Sequence, residues 1–221
     1  MNSVLKHIVA KTYKPLLEKY LSKTRTYRYK DIQLEIPTEV FHPGFFFSTQ
    51  LLLQYILELP LQEKRFLELG CGSGLIAIMA AKQNAIVTAT DINPVAVDFL
   101  KKNSMANGIS VDIIQSDLFT AIPQQPFDII AINPPYYKKD PVNAKEHAWY
   151  CGENGEYFSK LFDQLGKYMH KQTAVLMVLS DSPDMEMING FAAANRFSIS
   201  CVHSKQNMLE KNFIFKIEKV S

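Results

Sequence analysis

One stretch of the sequence, residues 65–81, limits what this chain can fold into more than any other. It starts with a short, largely apolar run at 66–69, continues as G-C-G-S-G at 70–74, and then becomes apolar and Ala-rich. The run has the length of a buried parallel strand, the glycines favour a sharp turn, and the last part is typical of a helix. Glycine lets the backbone bend and approach a ligand, and free N–H groups at a helix start favour polar or negative groups. The stretch therefore predicts a nucleotide-binding turn between a strand and a helix.

A carboxylate follows at the distance that such a site requires. The apolar segment 85–90, a second predicted strand, ends at Asp91. In sheets of this kind an acidic residue at the tip of the second strand binds the two ribose hydroxyls of an adenosine. A glycine cluster alone is a weak signal, because tight turns are common. Together with Asp91 it predicts a nucleoside-cofactor site rather than a purely structural turn.

The glycine cluster fits two cofactors. Counted from Gly72, the run G-S-G-L-I-A matches the dinucleotide fingerprint of nicotinamide enzymes, with Ala77 in the third position. Counted from Glu68, the run reads E-x-G-x-G-x-G. This pattern resembles that of class I methyltransferases, which bind S-adenosylmethionine and have no pyrophosphate to hold. The resemblance implies that the backbone wraps the methionine part of that cofactor and that Glu68 reaches its amino group.

Composition sets the limits within which these motifs act. A chain of 221 residues suits one domain, or one domain with a small appendage, and can bury a full core. The net charge of +2 is too small to indicate long tracts of bound nucleic acid, although a local basic patch stays open. The 3 cysteines are far apart, which favours a reducing compartment without disulfides. No apolar run has membrane-span length and no signal-peptide core begins the chain, so we expect a cytoplasmic protein.

The rest of the pattern favours an α/β fold with an N-terminal extension. Residues 4–21 carry apolar side chains at helical spacing, and residues 27–36 alternate as in a hairpin. We predict a helical and hairpin extension over 1–39 and an α/β domain over 40–221, in which strands and helices alternate. The extension is the most basic part of the chain, and its charges form either a solvated face or a contact surface for RNA: Lys11, Lys14, Lys19, Lys23, Arg25, Arg28 and Lys30.

An aromatic loop, H-P-G-F-F-F-S-T at 42–49, precedes the first predicted helix of the domain, at about residues 50–57. Three phenylalanines after a Pro-Gly turn indicate either a core plug or a wall that excludes water from a ligand. We place Phe47 and Thr49 among the cofactor contacts, and we expect Ser48 or Thr49 to cap the helix. His42 is predicted to be an ordinary loop histidine rather than a catalytic base.

A third predicted strand, 111–115, is followed by S-D-L-F at 116–119. A polar group at such a strand end can bind an adenine amino group while an apolar neighbour packs near the ring. We therefore predict cofactor contacts at Asp117 and Leu118, and also at Ile92 beside the ribose carboxylate. The alternative for Asp117 is a cap of the next turn.

The fourth predicted strand, 127–132, leads into Asn133, Pro134, Pro135 and Tyr136. Its place beside the first strand, at the switch point of the sheet, is where ligands bind. The amine of adenine and the amide of glutamine are poor nucleophiles, because the nitrogen lone pair is delocalised. Hydrogen bonds to the Asn133 oxygen and the Pro134 carbonyl would orient such a nitrogen for in-line attack on a methyl group. Tyr136 would stack on the planar group, and the prolines would hold the acceptors rigid, so the motif favours methyl transfer over a dehydrogenase.

Together these motifs resemble class I S-adenosylmethionine-dependent methyltransferases of the N-P-P-Y type, and among them the HemK-like glutamine methyltransferases that modify translation release factors. The similarity extends from about residue 40 to the C-terminus and includes D-I-N-P-V-A-V at 91–97 and A-W-Y-C-G-E-N-G-E-Y-F at 148–158. It implies a Rossmann-like fold: a seven-stranded, mostly parallel sheet with the last strand antiparallel and helices on both faces.

The resemblance also implies roles for single residues. The cofactor S-adenosyl-L-methionine would contact the three glycines of the turn, with Asp91 on its ribose and Asp117 on its adenine, and residues 133–136 would hold the acceptor: Gly70, Gly72, Gly74, Asp91, Asp117, Asn133, Pro134, Pro135 and Tyr136. A zinc site at His147 and Cys151 would lack two ligands, so we expect no metal.

Two departures leave the acceptor open. The family usually has an acid-bearing loop where this chain has G-F-F-F-S-T at 44–49, and the N-terminal segment is shorter than the bundle that binds release factors. N-P-P-Y also occurs in enzymes that methylate adenine in RNA or DNA, including small-domain rRNA methyltransferases. We expect a glutamine side chain in a protein such as a release factor as the acceptor. The alternatives are an adenine amine in nucleic acid, a small molecule, and a non-catalytic binding module.

Overall fold

The computed structural model describes residues 20–207 and 210–220, so the helix predicted over 4–21 and the first basic residues of the extension fall almost wholly outside it. The described part begins with an antiparallel hairpin of β1 (Arg25–Tyr29) and β2 (Ile32–Ile36), which confirms the predicted hairpin. Alternate side chains of β2 are buried and exposed. Its buried residues, Ile32, Leu34 and Ile36, join the core of the α/β part.

The α/β part alternates strands and helices, as predicted. Short 3₁₀ turns at Glu146–Ala148 and Gly166–Tyr168 precede α4 and β7. Its elements are α1 (Phe47–Leu57), β3 (Arg65–Leu69), α2 (Leu75–Lys82), β4 (Ile86–Asp91), α3 (Pro94–Ala106), β5 (Asp112–Gln115), β6 (Phe127–Ile132), α4 (Glu156–Leu165), β7 (Met169–Ser180), α5 (Met185–Ala194), β8 (Phe197–Gln206) and β9 (Lys211–Lys219).

The main sheet has seven strands in the order β5-β4-β3-β6-β7-β9-β8. The pairs from β5 to β7 are parallel, whereas β9 is antiparallel to both β7 and β8. This confirms the predicted mostly parallel sheet with the last strand antiparallel. The strand order reverses between β3 and β6, and ligands bind outside the carboxyl ends of strands at such a switch point. The glycine turn and Asn133 therefore begin at neighbouring strand tips.

Apolar layers cover both faces of the sheet. On one face α1, α2 and α3 pack against the strands with the hairpin, and on the other α4 and α5 do so. The alternation within β3 shows how one strand serves both layers, since Phe66 belongs to the first cluster and Leu67 and Leu69 to the second. Burial on both faces is why the central strands read as nearly continuous apolar runs. No helix in the described part of the chain is long and apolar enough to span a bilayer.

Two asparagines at the C-terminal end of α3, Asn103 within the helix and its C-cap Asn107, bind the open edge of β2. Asn103 Oδ1 accepts the Glu35 N–H at 2.8 Å, and its Nδ2 donates to the Glu35 carbonyl at 3.0 Å. Asn107 makes the same pair of bonds with Gln33, at 3.1 and 2.8 Å. Four residues advance about 6 Å along a helix and two residues about 6.6 Å along a strand, so the spacings match. These bonds and the shared core tie the hairpin to the α/β part. A domain boundary near residue 39, between the extension and the α/β domain, stays a proposal.

Candidate active site

A cavity of about 410 Å³ opens at the carboxyl ends of the central strands. One side is formed by the glycine turn and the ends of β4 and β5, and the other by the segment after β6. The size lies in the range of small-molecule sites. Twelve of the predicted site residues line it: Thr49, Glu68, Gly70, Gly72, Asp91, Ile92, Asp117, Leu118, Asn133, Pro134, Pro135 and Tyr136.

The three glycines of the turn have different tasks, although all have a positive φ, of 72°, 49° and 75°. A Cβ at Gly70 would meet no atom within 4 Å, and at Gly72 it would meet only Val40 at 4.0 Å, so these two keep space open. Gly74, predicted to line the cofactor, does not line the cavity. A Cβ there would overlap the Leu100 side chain, so the correction is that Gly74 allows α3 to pack against the start of α2.

Glu68 is buried at the base of the cavity rather than facing solvent. Its Oε2 accepts the N–H of Ala77, in the first turn of α2, at 2.8 Å. Burial raises the pKa of Glu68 well above its usual value, and the hydrogen bond from Ala77 opposes that shift only in part. A buried carboxylate of this kind is best stabilised by a positively charged ligand in the cavity.

Asp91 is held rigidly at the end of β4. Its Oδ2 accepts the Gly72 N–H at 2.8 Å and its Oδ1 accepts the Asn93 N–H at 2.9 Å. Burial raises the pKa of Asp91, while the two N–H groups and the charge of His147 lower it. The backbone of the glycine turn therefore fixes the position of the predicted ribose carboxylate, and Ile92 lies beside it in the cavity lining.

The segment after β5 lines the same end of the cavity. Leu118 has a φ of 50°, a left-handed conformation that is strained for a branched residue and tends to occur at functional sites. The Asp117 carboxylate binds Lys160 Nζ of α4 at 3.0 Å. It does not cap the next turn, because the Ser116 hydroxyl accepts the Ala121 N–H instead, at 3.0 Å. Sequence reasoning missed Lys160, whose contact depends on how α4 packs.

Asn133, at the tip of β6, is oriented by a residue 84 positions away. Its Nδ2 donates to the buried Thr49 hydroxyl at 3.2 Å, an orientation that leaves Oδ1 as the group available to accept a hydrogen bond. The predicted cap at Ser48 or Thr49 is wrong, because α1 begins at Phe47 and its N-cap is Phe46, without a side-chain cap bond. Phe47 also does not line the cavity, whereas Phe46 and Ser48 do.

Tyr136 follows as a neutral phenol. Burial raises its pKa to about 12, and a hydrogen bond with Ser180 opposes the shift. The ring centroid of Tyr137 lies 4.9 Å from that of Tyr136, and both tyrosines line the cavity. A phenol with this pKa stays protonated at neutral pH, so it is suited to packing and hydrogen bonding rather than to removing a proton.

An aromatic wall closes the cavity opposite the strand tips. It consists of Phe41, Phe46 and Trp149, with ring centroids 3.5 Å apart for the first two and 5.1 and 5.3 Å from each to Trp149. Backbone bonds between Tyr137 and Trp149 and between Cys151 and Tyr137, both 3.0 Å, fix the loop that carries Trp149. The loop at 42–49 is predicted to form a wall of the ligand site, and Phe46 does line the cavity. Phe45 does not; it packs against Tyr20 and His42.

His42 lies outside the cavity lining, between the rings of Tyr27 and Phe45. Its Nδ1 accepts the Gly44 N–H at 3.2 Å, and burial lowers its pKa, so the ring is neutral. It is therefore placed as a packed loop histidine, as predicted. Within the part of the chain that the structure describes, no group of three His, Cys, Asp or Glu is placed to hold a metal ion.

Further lining residues had no clear signal in the sequence. Tyr157 and Lys160 come from α4, His147 from the 3₁₀ turn before it, and Glu210 from the loop between β8 and β9. Tyr157 lies within the segment 148–158, and His147 directly precedes it; the sequence marked this segment only through its resemblance to a family. Glu210 follows no motif, because the antiparallel pairing of β9 alone brings it to this edge of the sheet.

Comparisons with known proteins agree with this geometry. A family model described as methyltransferase small domain matches residues 39–149. A putative protein N5-glutamine methyltransferase of Methanocaldococcus jannaschii is 32% identical over 160 residues, which cover 68% of this chain and 77% of that protein. A tRNA1(Val) (adenine(37)-N6)-methyltransferase of a Flavobacteriaceae bacterium is 33% identical over 121 residues, which cover 53% of this chain and 51% of that protein.

A solved structure shares the fold. The T. thermophilus 16S rRNA N2 G1207 methyltransferase, in complex with AdoMet and guanosine, has a TM-score of 0.63 at 18% identity, covering 89% of this chain and 50% of that one. The family model spans half of the chain, and the archaeal relative is matched over more than two thirds of its length. The chain therefore belongs to the methyltransferase small domain family of class I enzymes, and it is an S-adenosylmethionine-dependent N-methyltransferase.

Proposed function

We propose that this enzyme methylates the side-chain amide nitrogen of a glutamine in a protein, with a translation release factor as the first candidate. The observation that carries the proposal is the carboxamide of Asn133 at the tip of β6, oriented by Thr49 and lining the same cavity as the glycine turn. The name of the archaeal relative, a putative protein N5-glutamine methyltransferase, supports the same acceptor.

The cavity fits the cofactor on two grounds. Gly70 and Gly72 leave open space where side chains would intrude. The buried carboxylate of Glu68 and the partly buried one of Asp91 line the cavity and would favour a ligand that carries a sulfonium and an ammonium group. When bound, S-adenosylmethionine supplies an electrophilic methyl group on a positively charged sulfur. The residues that we propose to hold it are Glu68, Gly70, Gly72, Asp91, Ile92, Asp117, Leu118 and Thr49.

The residues after β6 are proposed to prepare the acceptor nitrogen. The Asn133 Oδ1 and the Pro134 carbonyl accept its two N–H bonds, which orients the nitrogen and weakens the delocalisation of its lone pair. The ring of Tyr136 packs against the planar amide, and the two prolines hold both acceptor oxygens rigid. In the reaction the nitrogen would form a bond to the methyl carbon while the methyl–sulfur bond breaks, and one N–H proton would leave to solvent. The products are the methylated amide, a neutral thioether and a proton. A strong base is not needed, which agrees with the protonated state of Tyr136.

A second candidate, methylation of an adenine amine in RNA, is favoured by one observation. Behind the aromatic wall lies a small cavity of about 60 Å³ whose lining includes Lys23, Arg25 and Lys145. Positive groups beside an aromatic wall suit a phosphate next to a target base. The name of the flavobacterial relative, an adenine methyltransferase of a tRNA, supports this alternative.

The experiment is a transfer assay with S-adenosylmethionine labelled in its methyl group. Purified release factors, tRNA and ribosomal subunits are offered separately, and the label is located by digestion and mass spectrometry. We expect label on a glutamine of a release factor and none when that glutamine is replaced by asparagine. Label confined to RNA, and lost in a variant with Lys23, Arg25 and Lys145 all changed to glutamine, would overturn the protein acceptor and support the second candidate.

A further inference from the structure

The loop between β8 and β9 brings a carboxylate to the acceptor side of the cavity. Glu210 lines the cavity together with Tyr136 and Tyr137. Because β9 is antiparallel to β7, its first residues lie at the edge of the sheet where β6 and β7 end. The registers put Ile132, Met177 and Phe215 at one level, so Glu210 lies two strands across from Asn133 and about four residues further along the strand direction. At about 4.8 Å per strand and 3.3 Å per residue, the two backbone positions are roughly 16 Å apart. This is the side of Asn133 opposite to the glycine turn, so Glu210 lies next to the bound acceptor chain rather than the donor.

The backbone of Glu210 is fixed. Its N–H donates to Asn207 Oδ1 at 2.8 Å, and its carbonyl accepts the Asn207 N–H at 3.0 Å. These two bonds close the end of the β8–β9 hairpin. The carboxylate is therefore carried by a residue whose backbone is bonded to Asn207, at the end of two paired strands, and such support suits a specificity residue.

The charge of Glu210 acts on the cavity. Glu210 lines the cavity together with Tyr136, and its charge adds to the raised pKa of that phenol. Among the residues that the structure describes, Glu210 makes no ion pair. Lys138 is bound to Asp184, and the ammonium of Lys211 lies 4.9 Å from the Phe213 ring centroid. The carboxylate is thus available to a partner that enters the cavity.

The neighbours of this carboxylate are two aromatic rings. Tyr136 and Tyr137 have centroids 4.9 Å apart, and Tyr137 is 44% exposed at the mouth of the cavity. A carboxylate beside aromatic rings favours an ammonium or guanidinium group, through an ion pair and through attraction to the ring faces. The same carboxylate repels a phosphate group, because both are negatively charged.

We propose that Glu210 is a specificity residue that selects acceptor glutamines with a lysine or arginine close in sequence. This inference rests on the proposed function, since it assigns a sequence preference to the same protein acceptor. The separation of roughly 16 Å from Asn133 corresponds to about five residues of extended chain, so the cation is expected within about six positions of the glutamine.

The test uses peptides that contain one glutamine, with a lysine scanned through about six positions on either side and matched norleucine and glutamate peptides at each position. For the wild-type enzyme, kcat/KM at the best position is expected to be about fivefold to tenfold higher with lysine than with norleucine. In Glu210→Gln this ratio falls to near one, because the neutral amide keeps an acceptor oxygen but not the charge. In Glu210→Lys the glutamate peptide becomes the best.

A matched control is Glu218→Gln, also on β9, which removes a carboxylate paired with Lys216. Glu218 does not line the cavity, so this variant keeps the wild-type ratio. Peptide affinity, measured by fluorescence anisotropy, is expected to follow the same ranking and to weaken for the lysine peptide as salt is added.

Equal rates for lysine and norleucine peptides at all positions, or an unchanged ratio in Glu210→Gln, would overturn the inference while leaving glutamine methylation intact. A failure of the proposed function looks different, since no glutamine in any peptide or release factor would take up the methyl group. An increase in RNA methylation in Glu210→Lys would support the picture of a carboxylate that rejects phosphate.

Discussion

The cavity has two halves that are built by different means. The donor half is the side formed by the glycine turn and the ends of β4 and β5, and the acceptor half is the side formed by the segment after β6. In the donor half, the fixing bonds join side chains to backbone N–H groups nearby in sequence: Glu68 binds Ala77, 9 positions on, and Asp91 binds Gly72, 19 positions back. In the acceptor half, Asn133 is held by the side chain of Thr49, 84 positions away. Backbone amides are present whatever the sequence, so these bonds require only the two carboxylates and the conformation of the turn. The acceptor half depends on particular side chains, which is where a shared fold can vary its substrates.

The largest effect is expected for Asn133→Ala, which should slow methyl transfer without weakening cofactor binding. Replacing Asn133 with alanine removes the proposed acceptor oxygen for the substrate nitrogen, and methyl transfer is expected to fall about 10²–10³-fold. The affinity for S-adenosylmethionine, measured by calorimetry, should change less than about twofold, since the donor half is untouched. Equal losses in rate and cofactor affinity would show that the two halves are one unit.

A pair of glycine variants sharpens the picture of the donor half. Gly74→Ala adds a Cβ that overlaps Leu100 at a left-handed position, so the free energy of unfolding should fall by about 2–4 kcal/mol in urea. Gly70→Ala has the same backbone strain without the overlap, so we expect a smaller loss, about 1–2 kcal/mol, and weaker cofactor binding. Equal stability losses in the two variants would contradict the separate tasks assigned to these glycines.

Glu68→Gln tests whether the buried carboxylate serves the donor. The loss of its charge should weaken cofactor binding about tenfold, as expected for one hydrogen bond to a charged group. The cofactor-free protein should become more stable at neutral pH, because burial penalises the charged carboxylate.

The raised pKa of Glu68 also predicts how the free energy of unfolding changes with pH. The folded pKa of Glu68 lies above its unfolded value, so the folded state holds a proton that the unfolded state has released. The associated stability is full below the unfolded pKa and is lost as pH rises through the folded pKa. Urea unfolding from acid to neutral pH should therefore show a decline in the wild type that is smaller in Glu68→Gln. Parallel curves would exclude a raised pKa at this residue.

The smallest expected effect concerns the contact between Thr49 and Asn133. Thr49→Val keeps the shape of the side chain but removes the hydroxyl that orients the carboxamide. We expect kcat to fall about threefold to tenfold, which is the scale of one neutral hydrogen bond. Thr49→Ser restores the hydroxyl and should recover most of the rate; a serine variant as slow as the valine variant would argue against a positioning role.

The sequence predicted the parts of the molecule that local pattern controls. Apolar runs that are buried on both faces, glycines followed by a helix, and the alternation of 27–36 led to the sheet and the hairpin that the structure contains. It did not predict where α1 begins, because the aromatic residues before it are arranged by Trp149 from another loop. The asparagines of α3 were also missed, since their bonds to β2 cross more than sixty residues.

By itself the sequence determined the fold class, the glycine turn, the carboxylate of Asp91 and the N-P-P-Y segment, because each depends on neighbours in the chain or on the period of one element. Only the tertiary structure decided that Gly74 serves packing, that Thr49 orients Asn133 and that Glu210 reaches the acceptor side. The physical reason is that these contacts are made between side chains of separate elements. Their positions depend on how strands are ordered and how helices pack, which short-range patterns do not encode.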